Sequence, residues 1–250
     1  MKPISLQLYS LRDSAAKDFP AVLRQVAGIG YKGVEFAGLQ GHNAKEIATL
    51  IDDLGLEVSS SHTGLPTPEN ITELADTELT LGNTRVISGF GPDAFKTVND
   101  VKAAAAKFEQ AAELLEPYGI TFGFHNHWWE FSTLDSKYVY DILMDEAPDV
   151  FSELDVYWAA YGKADPVAVV SEYKARLPLL HIKDGMLGEG AVHTAVGSGK
   201  LDMPAIIGAA DPTVLEWVIV ELDNCATGML EAVKQSYAYL TSSGLALGNK

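Results

Sequence analysis

The chain has 250 residues, of which 47% are hydrophobic and 21% charged, a composition typical of a globular protein with a substantial core. Its formal net charge of −16 argues against a nucleic-acid partner, because phosphate contacts require clustered lysine and arginine. No stretch approaches the roughly 20 continuous apolar residues of a membrane span, and a single cysteine, Cys225, precludes an intramolecular disulfide. We therefore expect a small-molecule partner. Because no secretion signal precedes the first apolar run, we also expect a cytoplasmic location.

Short apolar runs alternate with longer amphipathic segments along the whole chain. Strands are predicted at residues 4–8, 33–36, 57–61, 84–88, 121–125, 151–155, 179–182 and 218–222. Helices are predicted at residues 19–28, 44–54, 68–81, 98–118, 136–146, 166–176, 204–209 and 227–240. Gly30, Gly55 and Gly119 each follow a predicted helix and precede a strand, where a left-handed cap favours glycine.

Eight successive strand–helix units in about 250 residues are typical of a closed parallel barrel rather than an open doubly wound sheet. No linker-like segment interrupts the alternation. The sequence therefore predicts a single-domain (β/α)8 TIM barrel over residues 1–250.

Polar side chains collect at the carboxyl ends of the predicted strands, where barrels of this type carry their active sites. Four of the six histidines lie there, and only His42 and His193 fall in loops away from these ends. The polar residues at the ends are Gln7, Tyr9, Glu35, His62, His125, His127, Glu130, Asp155, His181, Lys183, Asp184, Glu221 and Asp223. This concentration predicts a polar site at one end of the barrel.

Glu130, Asp155, His181 and Glu221 form a set of mainly oxygen ligands with one nitrogen. Such a set suits Mn²⁺, Mg²⁺ or Co²⁺ and can also hold Zn²⁺. Acidic groups that converge on a buried site need a cation to neutralise them. The alternative is that the same residues form salt bridges and hydrogen bonds at the barrel mouth.

His125 and His127 have the same strand parity and are expected to face the same way. His125 fits three roles equally well, namely metal ligand, acid–base group and hydrogen-bonded core histidine, whereas His127 is favoured as an acid–base or substrate-contacting group. The following tryptophans, Trp128 and Trp129, fit either a platform for a sugar ring or packing beneath the loop.

The same residues resemble the sugar phosphate isomerase/epimerase family, the xylose isomerase-like TIM barrels. The similarity runs from the opening Gln7-Leu8-Tyr9-Ser10-Leu11-Arg12 to Glu221. Its motifs are His125-Asn126-His127 with Glu130-Phe131, Leu154-Asp155-Val156, His181-Ile182-Lys183-Asp184, Val196-Gly197-Ser198-Gly199 and Val220-Glu221-Leu222-Asp223.

The resemblance implies a divalent metal held by a Glu, Asp, His, Glu quartet, with Asp155, His181 and Glu221 at the matching positions. Tagatose-epimerase-like members carry the first glutamate at the end of the fifth strand, where this chain has His125. We predict that Glu130 replaces it from the following loop, with His125 or His127 as the alternative ligand.

The resemblance also implies an isomerase or epimerase that acts on a keto sugar or sugar derivative through an enediolate. Glu221 is the candidate base, opposite His127, and Lys183 stabilises developing negative charge on oxygen. Substrate contacts are predicted for Tyr9, Glu35, His62, His125 and Trp129.

Other functions remain open at this stage. A dehydratase or lyase on a keto-inositol or 3-keto-glycoside would use the same enediolate. An endonuclease IV-like nuclease would need a basic surface that this acidic chain does not offer, and the nearly complete ligand set argues against a non-catalytic sugar-binding barrel. Homo-oligomers are common among the proteins this chain resembles.

Overall fold

Eight parallel strands form a closed barrel in the computed structural model, which describes residues 1–250. Each strand pairs with the next along the chain, and the last pairs with the first through Ile4 with Val218 and Leu6 with Val220. The strands are β1 (Lys2–Gln7), β2 (Gly33–Phe36), β3 (Glu57–His62), β4 (Arg85–Ser88), β5 (Thr121–His125), β6 (Phe151–Asp155), β7 (Leu179–Ile182) and β8 (Trp217–Val220). The predicted fold class is confirmed.

Helices connect each strand to the next. They are Arg12–Ala15 and Phe19–Ile29 after β1, Ala44–Leu54 after β2, Ile71–Thr80 after β3, Val98–Leu115 after β4, Val139–Glu146 after β5, Val156–Tyr161 and Pro166–Tyr173 after β6, Met203–Gly208 after β7 and Met229–Ser242 after β8. Short 3-10 turns lie at Leu8–Leu11, Pro92–Phe95, Glu116–Tyr118, Trp129–Phe131 and Lys174–Arg176. No helix is both long enough and apolar enough to span a lipid bilayer.

Five two-residue strands lie outside the barrel. Thr133–Leu134 pairs with Lys137–Tyr138, and Asp184–Gly185 pairs with His193–Thr194, both antiparallel, while Ala246–Leu247 adds to the edge of β1. The first of these hairpins explains why the helix predicted at 136–146 begins only at Val139.

Two helices were not predicted, the short Arg12–Ala15 and the longer Val156–Tyr161. The Val156–Tyr161 sequence of valine and aromatic residues is typical of a strand, but the Asp155 side chain accepts a hydrogen bond from the Trp158 backbone N–H at 2.9 Å and caps the helix at its first turn. A local cap thus overrides the strand propensity of the segment.

An apolar floor closes the barrel lumen below the polar site. Trp217, Leu179, Ile87 and Ile219 are buried together there, with Phe151 packed against them. The two large rings fit because the neighbouring strands carry glycine, with Gly33 beside the Trp217 ring and Gly123 beside the Phe151 ring. The larger core of 59 buried residues includes apolar side chains of both the strands and the surrounding helices.

The register of the later strands sets the height of each inward-facing side chain. His125 pairs with Glu153 across β5 and β6, and Asp155 pairs with His181 across β6 and β7. Since alternate residues of a strand face the same side, Glu153 and Asp155 both point inward. They lie two residues apart along β6, so Asp155 is nearer the carboxyl end of the barrel. The polar residues therefore occupy two levels above the apolar floor.

Candidate metal and sugar site

A cavity of about 580 Å³ opens at the carboxyl ends of the strands. Seven of the residues predicted for the site line it: Tyr9, His62, His125, His127, Trp129, Lys183 and Glu221. Glu35, Asp155 and His181 are fully buried among residues of this wall. The structure therefore brings ten of the eleven predicted site residues to one end of the barrel, and Glu130 is the exception.

The side chains of His125, Asp155, His181 and Glu221 converge at the upper level, with potential ligand atoms all within 4.8 Å of one another. We call these four residues the upper group. Asp155 Oδ2 is buried and makes no hydrogen bond, and Glu221 accepts a hydrogen bond from His181 Nδ1 at 3.0 Å. Two imidazoles and two carboxylates fit a divalent cation, so these residues could hold one.

The ammonium group of Lys183 lies among the carboxylates of this level. Its Nζ is 3.0 Å from Asp155 Oδ2, 2.8 Å from Glu221 Oε2 and 3.0 Å from Asp223 Oδ2. Burial alone would lower the pKa of Lys183, but the Asp155 and Glu221 carboxylates hold that pKa well above its ordinary value. Lys183 is therefore charged and supplies one positive charge to the upper level.

The same ion pairs affect the charge of the Asp155 and Glu221 carboxylates. Burial raises the pKa of Asp155 to about 6 despite the nearby Lys183 ammonium. Burial also acts to raise the pKa of Glu221, but Lys183 and the hydrogen bond from His181 hold that pKa well below its usual range. At neutral pH Glu221 is therefore ionised and Asp155 mostly ionised, which is the form of a carboxylate that can bind a metal.

A second set of side chains lies one level deeper. His62, His125, Glu153 and His181, which we call the deep group, also present potential ligand atoms within 4.8 Å of one another. Glu35 flanks them and accepts hydrogen bonds from His181 Nε2 at 2.7 Å and from Gln7 Nε2 at 2.5 Å. Burial and the Glu153 carboxylate raise the pKa of Glu35 to about 7.

Glu130 lies away from both groups. The Trp129–Phe131 turn directs its buried side chain back along the loop, where Oε2 accepts a hydrogen bond from the His127 backbone N–H at 2.8 Å. Burial raises the pKa of Glu130 to about 8, so no cation holds this group in its charged form. The position of Glu130 therefore does not support the prediction that it is the first metal ligand, and it is His125 that lies beside Asp155, His181 and Glu221.

Aromatic rings form one wall of the cavity. The His127 ring stacks on Trp129 at 4.2 Å between centroids, and Trp158 lies 4.8 Å from Trp128. Two buried donors or acceptors on this wall, His127 Nδ1 and Trp158 Nε1, have no hydrogen-bond partner. Burial and the Lys183 charge lower the pKa of His127 to about 4, so its imidazole is neutral at neutral pH.

Three residues of the site have no role in the sequence-based assignment: Gln7, Glu153 and Asp223. Gln7 and Asp223 lie at the predicted strand ends. Glu153 lies inside an apolar strand, and its one signal is that it shares the parity of Asp155.

The fold and the site together define a cavity at the mouth of a closed parallel barrel. This cavity combines a group of potential metal ligands with an aromatic wall. The chain belongs to the xylose isomerase-like TIM barrel family, whose model matches residues 23–242. No curated protein matches the sequence significantly.

Three solved structures are similar to this chain over nearly its whole length. A sugar phosphate isomerase/epimerase from Parabacteroides distasonis is 29% identical, with a TM-score of 0.82 over 98% of this chain and 96% of that one. An L-ribulose 3-epimerase is 17% identical, with a TM-score of 0.72 over 98% and 95% of the two chains. The IOLI protein, whose structure contains a bound zinc atom, is 14% identical, with a TM-score of 0.75 over 97% and 98%. At these last two identities, the similarity shows the shared fold.

Proposed function

We propose that the protein is a divalent-metal-dependent sugar isomerase or epimerase that acts on a keto sugar or sugar derivative through an enediolate. The observation that carries this proposal is the upper group, in which four potential ligand atoms lie within 4.8 Å of one another at the carboxyl ends of β5 to β8. The similarity to a sugar phosphate isomerase/epimerase supports the class of substrate.

The proposed ligands are His125, Asp155, His181 and Glu221, with His125 in the position for which Glu130 was predicted. Mn²⁺, Mg²⁺, Co²⁺ and Zn²⁺ are all compatible with this mixture of nitrogen and oxygen ligands. A divalent cation held there would polarise adjacent carbonyl and hydroxyl oxygens of a keto sugar and so acidify the C–H bond between them.

The proposed acid–base groups lie on the cavity wall. Glu221 is ionised and is assigned the role of base, while the neutral His127 has an unpartnered Nδ1 with which to exchange a proton with the substrate. Lys183, charged and buried, is assigned to stabilise negative charge that develops on a substrate oxygen.

The remaining polar side chains are assigned to the sugar hydroxyls. His62 and Tyr9 line the cavity directly, and Glu35 acts from below through the side chain of Gln7. Trp129 and the other aromatic rings offer an apolar face on which a sugar ring can stack. The aromatic wall and the polar floor together suit a molecule with both hydroxyl groups and C–H faces.

Metal analysis tests the ligand assignment. The wild type, reconstituted with Mn²⁺, is expected to retain one ion per chain, and Asp155→Asn and His181→Ala are expected to retain much less. Asn is chosen at position 155 because it preserves the helix cap that Asp155 provides. Equal metal content in the wild type and both variants would refute the proposed ligand set.

Incubation with keto sugars in D₂O tests the reaction. The metal-loaded protein is expected to incorporate deuterium at the carbon between the two oxygens and to release an isomer of the substrate. Release of a dehydrated product instead would identify the lyase reaction that proceeds through the same enediolate. Absence of both exchange and product across a panel of keto sugars and 3-keto-glycosides would refute the proposal.

A further inference from the structure

The deep group contains a buried carboxylate, Glu153, that its hydrogen bonds satisfy on one oxygen only. One oxygen of Glu153, Oε2, faces three imidazole nitrogens, at 2.5 Å from His62 Nε2, 3.2 Å from His125 Nδ1 and 3.2 Å from His181 Nε2. The other oxygen, Oε1, is buried without any hydrogen-bond partner. A buried carboxylate oxygen left without a partner costs about 1–3 kcal/mol or more, so a missing partner is indicated.

We propose that the deep group, His62, His125, Glu153 and His181, is a second cation site that prefers Zn²⁺ or a similar borderline metal. Three imidazole nitrogens and one carboxylate oxygen make up a ligand set typical of tetrahedral zinc. The upper group, with two carboxylates, is a better match for Mn²⁺ or Mg²⁺.

The charges around the deep group suit a dication. Glu35 lies beside it, with Oε1 at 2.7 Å from His181 Nε2 and 3.3 Å from His62 Nε2. One dication with Glu35 and Glu153 gives zero net charge at this level. Lys183, by contrast, contacts Asp155 and Glu221 in the upper group. A cation in the deep group would therefore not compete with the Lys183 ammonium for the Glu153 carboxylate.

An ion can reach the deep group from the cavity. Glu153 and His181 are fully buried, but the His62 side chain is 26% exposed and lines the cavity wall. His62 is the most exposed member of the deep group. It is thus the entry ligand of the proposed site.

The two groups share His125 and His181 but use opposite nitrogens of each ring. His125 turns Nε2 toward Asp155 and Nδ1 toward Glu153, and His181 turns Nδ1 toward Glu221 and Nε2 toward Glu153. A neutral imidazole offers one lone pair, because its other nitrogen carries the proton. The sites therefore exclude each other, and Zn²⁺ in the deep site withdraws two ligands from the upper site.

Binding of Zn²⁺ alone and Mn²⁺ alone to the metal-free protein tests this inference by chelator competition. Glu153→Gln and His62→Gln are expected to weaken Zn²⁺ binding at least tenfold and to leave Mn²⁺ binding within about threefold of the wild type. Asp155→Asn serves as the matched variant of the upper group, and is expected to weaken Mn²⁺ binding and to spare Zn²⁺ binding.

Two outcomes overturn the inference. One is that Glu153→Gln and His62→Gln leave Zn²⁺ affinity unchanged. The other is that they weaken Zn²⁺ and Mn²⁺ binding equally, as expected if Glu153 only orients the histidines. His62→Gln changes a partly exposed side chain, so it keeps the test decisive if Glu153→Gln fails to fold. Zn²⁺ binding that Asp155→Asn spares, in a protein that binds no Mn²⁺, would leave the deep site standing and would contradict the upper metal site on which the proposed function rests.

Discussion

Replacement of Lys183 by methionine is expected to destabilise the metal-free protein strongly. The side chain is almost fully buried, and its ammonium touches three carboxylates, those of Asp155, Glu221 and Asp223, at 2.8 to 3.0 Å. Removal of one partner from a buried ion pair typically costs about 3–5 kcal/mol because the remaining charge is left uncompensated. For a chain of this length, that corresponds to a fall of roughly 6–20 °C in the melting temperature.

The destabilisation should depend on pH and on metal. Without the ammonium group, the carboxyl pKa values of the folded variant rise above their unfolded values, so the folded state binds more protons and its stability falls as pH increases. The loss is therefore larger at about pH 8 than at about pH 5. Added Mn²⁺ is expected to raise the melting temperature of Lys183→Met more than that of the wild type, because the dication replaces the lost positive charge.

Thermal unfolding followed by circular dichroism, in EDTA and then in Mn²⁺, measures both effects. Lys102→Met is the matched control, since Lys102 forms an exposed ion pair with Glu146 at 2.7 Å. Loss of such a surface pair is expected to cost less than about 1 kcal/mol. If Lys183→Met melts close to Lys102→Met in EDTA, the inferred burial of charge at the upper level is wrong.

Three further predictions address the scaffold around the site. Gly123→Ala would place a methyl group against the Phe151 ring, which should lower the free energy of unfolding in denaturant by about 1–3 kcal/mol. The second substitution Phe151→Leu should restore part of that loss. A Gly123→Ala variant as stable as the wild type would contradict the close packing of the apolar floor. Burial raises the pKa of Glu130 to about 8, so the wild type loses stability as this carboxyl group ionises and Glu130→Gln does not. The variant should therefore gain stability relative to the wild type between about pH 5 and about pH 9, by up to about 1.4 kcal/mol per unit of pKa shift. Parallel pH profiles of the two proteins would refute this. Asp184→Asn should speed hydrogen exchange of backbone amides in residues 197–201, because the Asp184 carboxylate accepts hydrogen bonds from three N–H groups there, and unchanged exchange would refute that anchoring role.

The fold was predictable because its signals are local. A parallel strand covered on both faces is a short apolar run, and each of the eight runs is a strand in the structure. The errors occur where a neighbouring contact decides the conformation. Residues 156–161 become helical through the cap at Asp155, and residues 137–138 leave the predicted helix to pair with residues 133–134.

The site was predictable only in part because proximity along the chain does not fix proximity in space. Glu130 was chosen for its nearness to His125 and His127, but a tight turn directs its carboxylate to a backbone N–H of its own loop. Glu153 was overlooked inside an apolar run. The contact between Glu35 and His181, 146 residues apart, exists only because the barrel closes.

Asp155 shows how the fold and the proposed metal site depend on each other. Its Oδ1 accepts the Trp158 N–H and starts a helix, so the side chain is held in one orientation before any ligand arrives. That leaves Oδ2, which makes no hydrogen bond, directed at Lys183 and the upper group. A glutamate at this position would carry its carboxylate too far to cap the same turn, because N-cap geometry favours the short side chains. Aspartate at the end of β6 therefore satisfies two requirements at once, a helix that closes the β6 connection and a carboxylate oxygen held in place beside Lys183 and the other proposed metal ligands.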